Sequence, residues 1–384
     1  MPPPEPLTCF AATSPGIELL LADELRGLHI APGTIEPGGV EFAATASQLA
    51  DALLQLRTAN RVTVRLASFH ARSFGELERH AARVAWEQVL APGGAVHFRV
   101  TAKKSRLYHQ DAIAERLERA VQARVTGVRA VRAPSAAEEM EADVSRLPAV
   151  QRIVVRVMRD EFTLSADAAG ALLHLRGWRQ AVAKAPLRET LAAALLLASG
   201  WDQTSPLLDP FCGSGTIAIE AALLARRMAP GRNRRFAFEA WPALPGDLMA
   251  AARQRALAGE RPAPASIAGR DRDAGAVAAA WANAERAGVV ADVTFSCETI
   301  SALTPDAGLG WLITNPPYGT RIGERTGLRD LYAVLGRVIR ERRPNWQLAM
   351  LSADRMLEAQ TQLKLEEVLR TTNGGIPDRL VTTK

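Results

Sequence analysis

Hydrophobic residues recur along the chain with two spacings, every second position and every third or fourth, and these predict strands and helices respectively. Before residue 180 the two patterns alternate irregularly. The run 153–158, a turn at Arg159–Glu161 and the run 161–167 predict a hairpin. The first half is therefore predicted to form two small α/β units. Its predicted strands are 7–13, 40–43, 62–67, 95–101, 153–158 and 161–167, and its predicted helices are 16–28, 46–58, 74–90 and 111–125.

After a boundary near 176–186 the pattern becomes a regular alternation of helix and strand, which is typical of a doubly wound parallel sheet. At the carboxyl terminus two strands joined by an Asn-Gly-Gly turn predict an antiparallel pair that closes the sheet. The predicted helices of this half are 187–199, 215–228, 273–287 and 328–341, and the predicted parallel strands are 206–209, 266–270, 292–296, 310–314 and 346–351.

The motif Asp-Pro-Phe-Cys-Gly-Ser-Gly at 209–215 ends an apolar strand and opens a helix. Gly213 and Gly215 permit a sharp turn, and the free amides at the helix start can bind carboxylate or phosphate oxygens. The segment also fits the G-x-G-x-x-A dinucleotide fingerprint. However, the next candidate ribose-binding acid, Asp271, follows Gly213 by 58 residues, whereas that fold expects it after about 20. The motif predicts a nucleotide-like cofactor and disfavours a nicotinamide.

A second motif, Asn-Pro-Pro-Tyr-Gly at 315–319, also follows an apolar strand. The prolines stiffen the loop and leave the carbonyl oxygens of Asn315 and Pro316 as acceptors. Hydrogen bonds from an exocyclic base amine to the Asn315 side-chain oxygen and the Pro316 carbonyl would favour a nucleophilic nitrogen. Tyr318 could stack on the extracted base. An ordinary Pro-Pro turn is the alternative, and the pairing with the glycine motif favours methylation of an amine.

Charge adds a candidate partner. The net charge is +6, and the segment 99–132 alone carries nine basic residues against three acids. A solvated helix face would explain such a run equally well, but the segment could also bind phosphates. The residues that we expect to contact RNA are Lys103, Lys104, Arg106 and Arg116.

Other classes of protein are disfavoured by composition. The three cysteines are far apart and include no CxxC pair, and none of the six histidines has metal-ligand spacing. The segment MPPPEP at the amino terminus lacks the features of a signal peptide, and the longest apolar stretch is too short to span a membrane. We expect a cytoplasmic, monomeric protein with no metal and no membrane association.

Together these motifs resemble those of bacterial RNA guanine-N2 methyltransferases, with the large-subunit (23S) rRNA enzymes the most similar group. Segments 185–192 (APLRETLA) and 229–241 (APG…FAFE.W) resemble that family's methyltransferase domain, and 9–18 and 164–179 resemble its amino-terminal half. Such sequences have also been labelled adenine-specific DNA methylases. The resemblance implies a Rossmann-like class I methyltransferase sheet with an antiparallel last strand. It further implies a ferredoxin-like region at 1–60, completed by 150–170, a THUMP RNA-binding domain at 61–170 and the methyltransferase domain at 180–384.

The resemblance also implies roles for individual residues. Asn315, Pro316 and Tyr318 would hold the target base. S-adenosylmethionine would be the cofactor, and in the position of the family's adenine-contacting acid the chain has Thr299 beside Glu298. The residues implied to bind the cofactor are Asp209, Phe211, Gly213, Gly215, Thr216, Asp271, Glu298 and Asn315.

The function implied is formation of N2-methylguanosine in structured RNA, with rRNA preferred to tRNA. Three alternatives stay open: a tRNA guanine-N2 methyltransferase, a DNA adenine-N6 methyltransferase, and an inactive RNA-binding assembly factor. The same Asn-Pro-Pro-Tyr motif can hold an adenine or a guanine amine. Cys212 is expected to be a packing residue, because no base accompanies it in the sequence.

Overall fold

The computed structural model describes residues 6–180, 187–318, 325–373 and 375–383. The described residues group into two compact units. The first contains those within Met1–Thr13, Ala22–Leu175 and Gly231–Arg255, and the second those within Ser14–Leu21, Arg176–Pro230 and Ala256–Lys384. In the described part of the chain, no helix combines the length and the apolar character that crossing a membrane requires.

The first unit is built on one eight-stranded sheet with the strand order β2-β3-β1-β4-β8-β7-β5-β6. Its pairings are antiparallel except where β5 runs parallel to β7 and to β6. The strands are β1 (Leu7–Ala12), β2 (Pro32–Glu36), β3 (Gly39–Ala44), β4 (Arg61–His70), β5 (Ala95–Lys103), β6 (Arg129–Ala130), β7 (Val150–Met158) and β8 (Glu161–Asp167).

The helices that precede residue 175 are α1 (Glu18–Gly27), α2 (Ala46–Gln55), α3 (Phe74–Ala81), α4 (Gln110–Arg124) and α5 (Ala136–Met140). Local sequence explains their boundaries. Thr45 and Gln48 form a reciprocal capping box at the start of α2. The predicted helix 74–90 ends early, because the buried Trp86 begins a short 3₁₀ turn and its indole donates to the Ala81 carbonyl at 3.0 Å.

Strand β4 gives this unit its continuity. It pairs with β1 on one side and with β8 on the other, so strands before and after residue 60 belong to one sheet. One sheet therefore runs through the whole region that was predicted to form two small α/β units. Strand β2 lies in a segment whose turn-rich composition predicted no strand. The hairpin of β7 and β8 is confirmed.

The second unit contains a seven-stranded sheet in the order β11-β10-β9-β12-β13-β15-β14. Its strands are β9 (Leu207–Asp209), β10 (Ile267–Asp271), β11 (Val293–Cys297), β12 (Gly310–Thr314), β13 (Trp346–Ser352), β14 (Leu365–Asn373) and β15 (Ile376–Thr383). The remaining helices of the chain are α6 (Glu189–Ser199), α7 (Thr216–Ala225), α8 (Leu248–Ala258), α9 (Ala274–Ala287), α10 (Arg325–Arg342) and α11 (Arg355–Gln360).

This sheet has a separate apolar layer on each face, because successive strand residues point to opposite sides. Leu207 packs with α6, α7 and α9, whereas Leu208 packs with α10 and the Ile300–Leu303 turn. Ile313 and Leu312 divide between the same two layers. Burial on both faces explains why the strands are nearly continuous apolar runs.

The class I methyltransferase topology predicted from the sequence is confirmed. Strands β9 to β13 pair in parallel, and β15 pairs antiparallel with both β13 and β14. Strand β15 therefore lies between its two partners, and β14 forms the edge. The chain proceeds outward from β9 in one direction through β10 and β11 and in the other through β12 and β13. The switch point between β9 and β12 is where open α/β sheets bind ligands.

Candidate active site

Both chemistry-bearing motifs lie at this switch point. Asp209 is the last residue of β9, and Asn315 directly follows β12, at the same carboxyl edge of the sheet. The Thr314 hydroxyl donates to Asp209 Oδ1 at 2.6 Å. The two loops, separated by about a hundred residues of sequence, are thereby joined by a buried hydrogen bond.

The glycine loop has the backbone that its sequence predicted. Gly213 and Gly215 have φ of +51° and +84°, a region in which residues with a Cβ are strained. A Cβ at Gly215 would lie 2.9 Å from the Ala280 methyl, while a Cβ at Gly213 would meet open space. Among the described residues no side chain caps the start of helix α7, so the amides of its first turn are available to a ligand.

Two aspartate side chains accept hydrogen bonds from backbone amides of the glycine loop. Asp209 Oδ1 accepts from the Phe211 amide at 3.1 Å, and Asp271 Oδ2 accepts from the Gly213 amide at 2.9 Å. Burial raises the pKa of Asp209 to about 7, with a smaller contribution from the nearby Asp271 carboxylate; the Thr314 and Phe211 hydrogen bonds oppose the rise. The protein therefore holds an acid of unusually high pKa at the base of the loop.

Asp271 is the last residue of β10, and Glu298 directly follows the adjacent strand β11. The Glu298 amide donates to the Asp271 carbonyl at 2.9 Å, which keeps the two residues together. The Glu298 carboxylate pairs with Arg270 and stays 41% exposed. Thr299 is exposed and precedes the Ile300–Ala302 turn. Glu298 is thus the acid that this edge presents beside Asp271.

A cation that the sequence analysis did not select lies at the start of α7. Arg179 donates to the Thr216 hydroxyl at 2.8 Å and to the Leu187 carbonyl at 2.6 Å, and it pairs with Glu189 at 3.1 Å. Burial raises the pKa of Glu189 to about 7, although Arg179 opposes that rise. The members of this group come from three family-like segments, and no pattern within any one segment indicates that Arg179 meets Thr216 and Glu189. Ala185 and Pro186 of the family-like segment lie outside the described residues.

The Asn-Pro-Pro-Tyr loop presents an acceptor without a partner. Asn315 Oδ1 is buried, and no described residue donates a hydrogen bond to it. Such atoms are rare in folded proteins and indicate a ligand or strain. Pro316 is buried and Pro317 is exposed. Gly319, the last residue of the motif, lies outside the described residues.

The ring of Tyr318 is held at its hydroxyl. Asn373 Nδ2 donates to that oxygen at 2.8 Å, and the hydroxyl donates toward Asp378 Oδ2 at 3.4 Å. Burial raises the pKa of Tyr318 to about 12, and the Asp378 carboxylate adds to the effect. Neither residue was selected from the sequence as a site residue, since Asn373 was read as part of the Asn-Gly-Gly turn and Asp378 as an ordinary strand residue.

Cys212 is a packing residue, as expected. Its side chain is buried, and burial raises the pKa of its thiol further above the ordinary value, with Asp209 and Asp271 adding to the shift. A thiol of that kind stays protonated and is a poor nucleophile. Within the described ranges, no three histidine, cysteine or acidic side chains are grouped closely enough to hold a metal ion.

The four candidate RNA-binding residues lie in the first unit and fall into two groups. Lys103, the last residue of β5, is exposed, as are Lys104 and Arg106 on the segment between β5 and α4. We call these three residues the basic loop. Asp160 Oδ1 fixes its backbone by accepting from the Arg106 amide at 2.7 Å. Arg116 is different, because its guanidinium lies 3.8 Å from the centre of the Phe74 ring and 3.6 Å from Glu78.

The chain is similar to known protein families over most of its length. The model of the RMKL-like methyltransferase domain matches residues 176–382, and that of the RlmL ferredoxin-like domain matches residues 8–63. The chain is 36% identical to the ribosomal RNA large subunit methyltransferase K/L of Syntrophotalea carbinolica across 98% of its own length. It spans about half of that relative, 53%. It is 31% identical to a putative RNA methyltransferase of Synechocystis, with 97% of this chain and 95% of that protein covered.

Two solved structures share the whole fold. A predicted N6-adenine-specific DNA methylase from Listeria monocytogenes superposes with a TM-score of 0.85 at 30% identity, covering 99% of this chain and 96% of that one. A putative methyltransferase complexed with SAH also superposes with a TM-score of 0.85, at 28% identity, covering 99% of this chain and 98% of that one.

Proposed function

Since this chain belongs to the family of RMKL-like methyltransferases, we propose that it transfers a methyl group from S-adenosylmethionine to N2 of a guanine in RNA. The observation that carries the proposal is the buried, unpartnered Asn315 Oδ1 beside an open glycine loop, as far as the described residues extend. An oxygen held in that way is prepared to accept a hydrogen bond from an amine.

The residues at the switch point fit this cofactor. The first-turn amides of α7 and the guanidinium of Arg179 would bind its carboxylate, because both present N–H donors at the same helix end. Asp271 would accept from the ribose hydroxyls, since each of its oxygens can accept a second hydrogen bond beyond the one that it already accepts from an amide. Phe211 and Glu298 would contact the adenine, with Gly213 and Gly215 leaving room for the ligand.

When bound, the cofactor supplies an electrophilic methyl group, and the chain's own residues align and activate the amine. The Asn315 side-chain oxygen would accept one N–H and the Pro316 carbonyl the other. These bonds favour a pyramidal nitrogen whose lone pair is available. Tyr318 would stack on the base and fix its plane. Alignment of this kind contributes rate without a strong general base.

The target is proposed to be large-subunit rRNA, as in the name of the Syntrophotalea relative. The first unit would bind structured RNA through the basic loop, whose three cations are exposed and can reach phosphates.

We also propose the domain division expected from the sequence: 1–60 with 150–170 as the ferredoxin-like region, 61–170 as the THUMP domain and 180–384 as the methyltransferase domain. The ferredoxin-like match at residues 8–63 supports its first part.

The test is to supply the purified protein with labelled S-adenosylmethionine and three substrates: unmodified 23S rRNA, a tRNA pool and duplex DNA. We expect label in the rRNA and its recovery as N2-methylguanosine by mass spectrometry of nucleosides. If the label is instead in tRNA guanosine, the substrate is tRNA, and the proposed reaction at N2 of guanine still holds. Methylated adenine, or no transfer despite binding of S-adenosylhomocysteine, would overturn the proposal.

A further inference from the structure

The hydroxyl of Tyr318 forms hydrogen bonds with two residues of the carboxyl-terminal hairpin. Asn373, the last residue of β14, donates to it at 2.8 Å, and Asp378 on β15 accepts from it at 3.4 Å. One phenol thus accepts from an amide and donates to a carboxylate. This uses the hydroxyl in both of its hydrogen-bonding capacities and fixes the direction of its proton.

The strand register explains how the hairpin reaches the loop. Arg379 pairs with Ser352, the last residue of β13, so Asp378 lies just beyond the carboxyl edge of the parallel strands. That edge also carries Asn315 and Tyr318. Asp378 is therefore at the level of the site although it lies near the amino end of its own strand, because β15 runs antiparallel.

A carboxyl group at the position of Asp378 lowers the stability of the fold, so a purely structural role does not explain it. It is 1% exposed, and burial raises the pKa of its carboxyl group, although hydrogen bonds from Tyr318 and Asn373 oppose the rise. Its Oδ1 has no hydrogen-bond partner within the described part of the chain. A buried carboxyl group with so few hydrogen bonds destabilises a fold compared with an amide or an apolar side chain. Its contact with Tyr318 offers a reason for its presence.

We propose that Asn373 and Asp378 form a positioning clamp that fixes the ring plane of Tyr318 against the target base. The clamp acts through Tyr318, so neither residue is catalytic. Its consequence is that the carboxyl-terminal hairpin, whose sequence indicated only a turn, controls the alignment of the amine for transfer. This inference rests on the proposed function, since Tyr318 must stack on a base for the clamp to affect the reaction.

A double-mutant cycle tests the clamp. Tyr318→Phe keeps the ring and removes the hydroxyl, while Asp378→Ala removes the acceptor. We expect each to lower kcat about 10-fold or more, because small misplacements of the reacting group carry costs of that size. Affinity for S-adenosylhomocysteine should not change. In the Tyr318→Phe background, Asp378→Ala should have little further effect, because the clamp is already open. Equal losses in both backgrounds would overturn the proposal.

Two further variants separate positioning from folding. Asp378→Asn retains an acceptor for the Tyr318 hydroxyl, so its kcat should stay within about threefold of the wild type and its melting temperature should not fall. Asn373→Ala should lower kcat as Asp378→Ala does. If Asp378→Asn is as damaging as Asp378→Ala, the carboxyl group does more than accept a hydrogen bond and the clamp is wrong.

A readout independent of RNA comes from the three tyrosines of the chain. With ¹³C-labelled tyrosine, the Tyr318 resonance can be assigned from its absence in Tyr318→Phe. Asn373→Ala and Asp378→Ala should shift that resonance and leave the Tyr108 resonance in place; an unmoved Tyr318 signal would contradict the clamp. If the wild type methylates adenosine instead, the proposed function fails, while the coupling of Tyr318 and Asp378 is still measured on that substrate.

Discussion

The carboxyl edge of the second sheet buries its polar groups, whereas the basic loop of the first unit exposes its charged groups to solvent. At the edge, Asn315 Oδ1 and Asp378 Oδ1 are buried and have no partner among the described residues, and Asp209 is buried with a raised pKa. On the loop, Lys103, Lys104 and Arg106 are exposed. A buried polar group interacts strongly with a ligand that contacts it, because the surroundings screen it little. A solvated cation is screened and interacts weakly, so several cations must act together to attract a polyanion. The first suits chemistry and the second suits attraction of a polyanion.

The largest effect is expected at the buried edge. Asn315→Ala should lower kcat roughly 10²–10³-fold, the usual loss when one preorganised hydrogen-bonding group is removed. Binding of S-adenosylhomocysteine, measured by calorimetry, should change little, because the other residues proposed to hold the cofactor lie on the glycine loop and at the ends of β10 and β11 and stay in place. Asn345→Ala is the matched control, since Asn345 is exposed and donates to the Ala307 carbonyl. Full activity in Asn315→Ala would remove its proposed role.

A smaller effect is expected on the loop. The triple change of Lys103, Lys104 and Arg106 to Glu should weaken RNA binding about 10- to 100-fold at moderate salt. The slope of log affinity against log salt should fall by about 2–3, because each lost phosphate contact contributes 0.7–0.9. Fluorescence anisotropy over a salt series measures both.

The control for that experiment changes Arg26, Arg146 and Arg156 to Glu. These exposed arginines of the same unit are paired with acids, and the net charge changes equally. If both triple variants lose the same affinity, general charge and not the basic loop governs binding.

The acid at the base of the glycine loop should make folding stability depend on pH. The pKa of Asp209 is about 7 in the folded protein, above about 3.9 for an unfolded chain. Below pH 4 the side chain is protonated in both states, and its full contribution to stability is present. As pH rises from 4 through 7 the folded state must accept a buried charge, so this contribution is lost.

Denaturation of wild type and Asp209→Asn between pH 4 and 8 tests this assignment. The variant should lack that part of the decline and be more stable at pH 8 by about 1–2 kcal/mol, allowing for relaxation around the charge. Parallel pH profiles for the two proteins would show that Asp209 is ionised in the folded state with an ordinary pKa.

The smallest expected effect on RNA binding distinguishes Arg116 from the residues of the basic loop. Arg116→Ala should weaken RNA binding less than threefold, because its guanidinium already contacts Phe74 and Glu78. It should instead lower stability by about 0.5–1 kcal/mol through the lost cation–π contact. A loss of affinity as large as that of Lys103→Ala would place Arg116 among the RNA contacts. Both quantities can be measured on the same two single variants.

Much of the fold could be predicted from the sequence, since period-two and helical spacings are local properties. The predicted strands of the second unit agree with β9 to β13 within about two residues at each end. Elements without a strong pattern were missed. Strand β2 lies in a segment of glycine and proline, helix α11 is only six residues long, and α8 lies in the insertion after α7.

The sequence by itself determined which residues end strands and open helices, and hence that Asp209, Gly213 and Asn315 lie at loop ends. It did so because strand burial and glycine conformation depend on residues close along the chain. Tertiary structure decided which side chains form hydrogen bonds at the site. Thr314 donates to Asp209, and Arg179 donates to Thr216. Tyr318 accepts from Asn373 and donates to Asp378. These contacts follow from which strands are neighbours and which run antiparallel. That depends on the burial of two whole faces of a sheet, a property that no single segment contains.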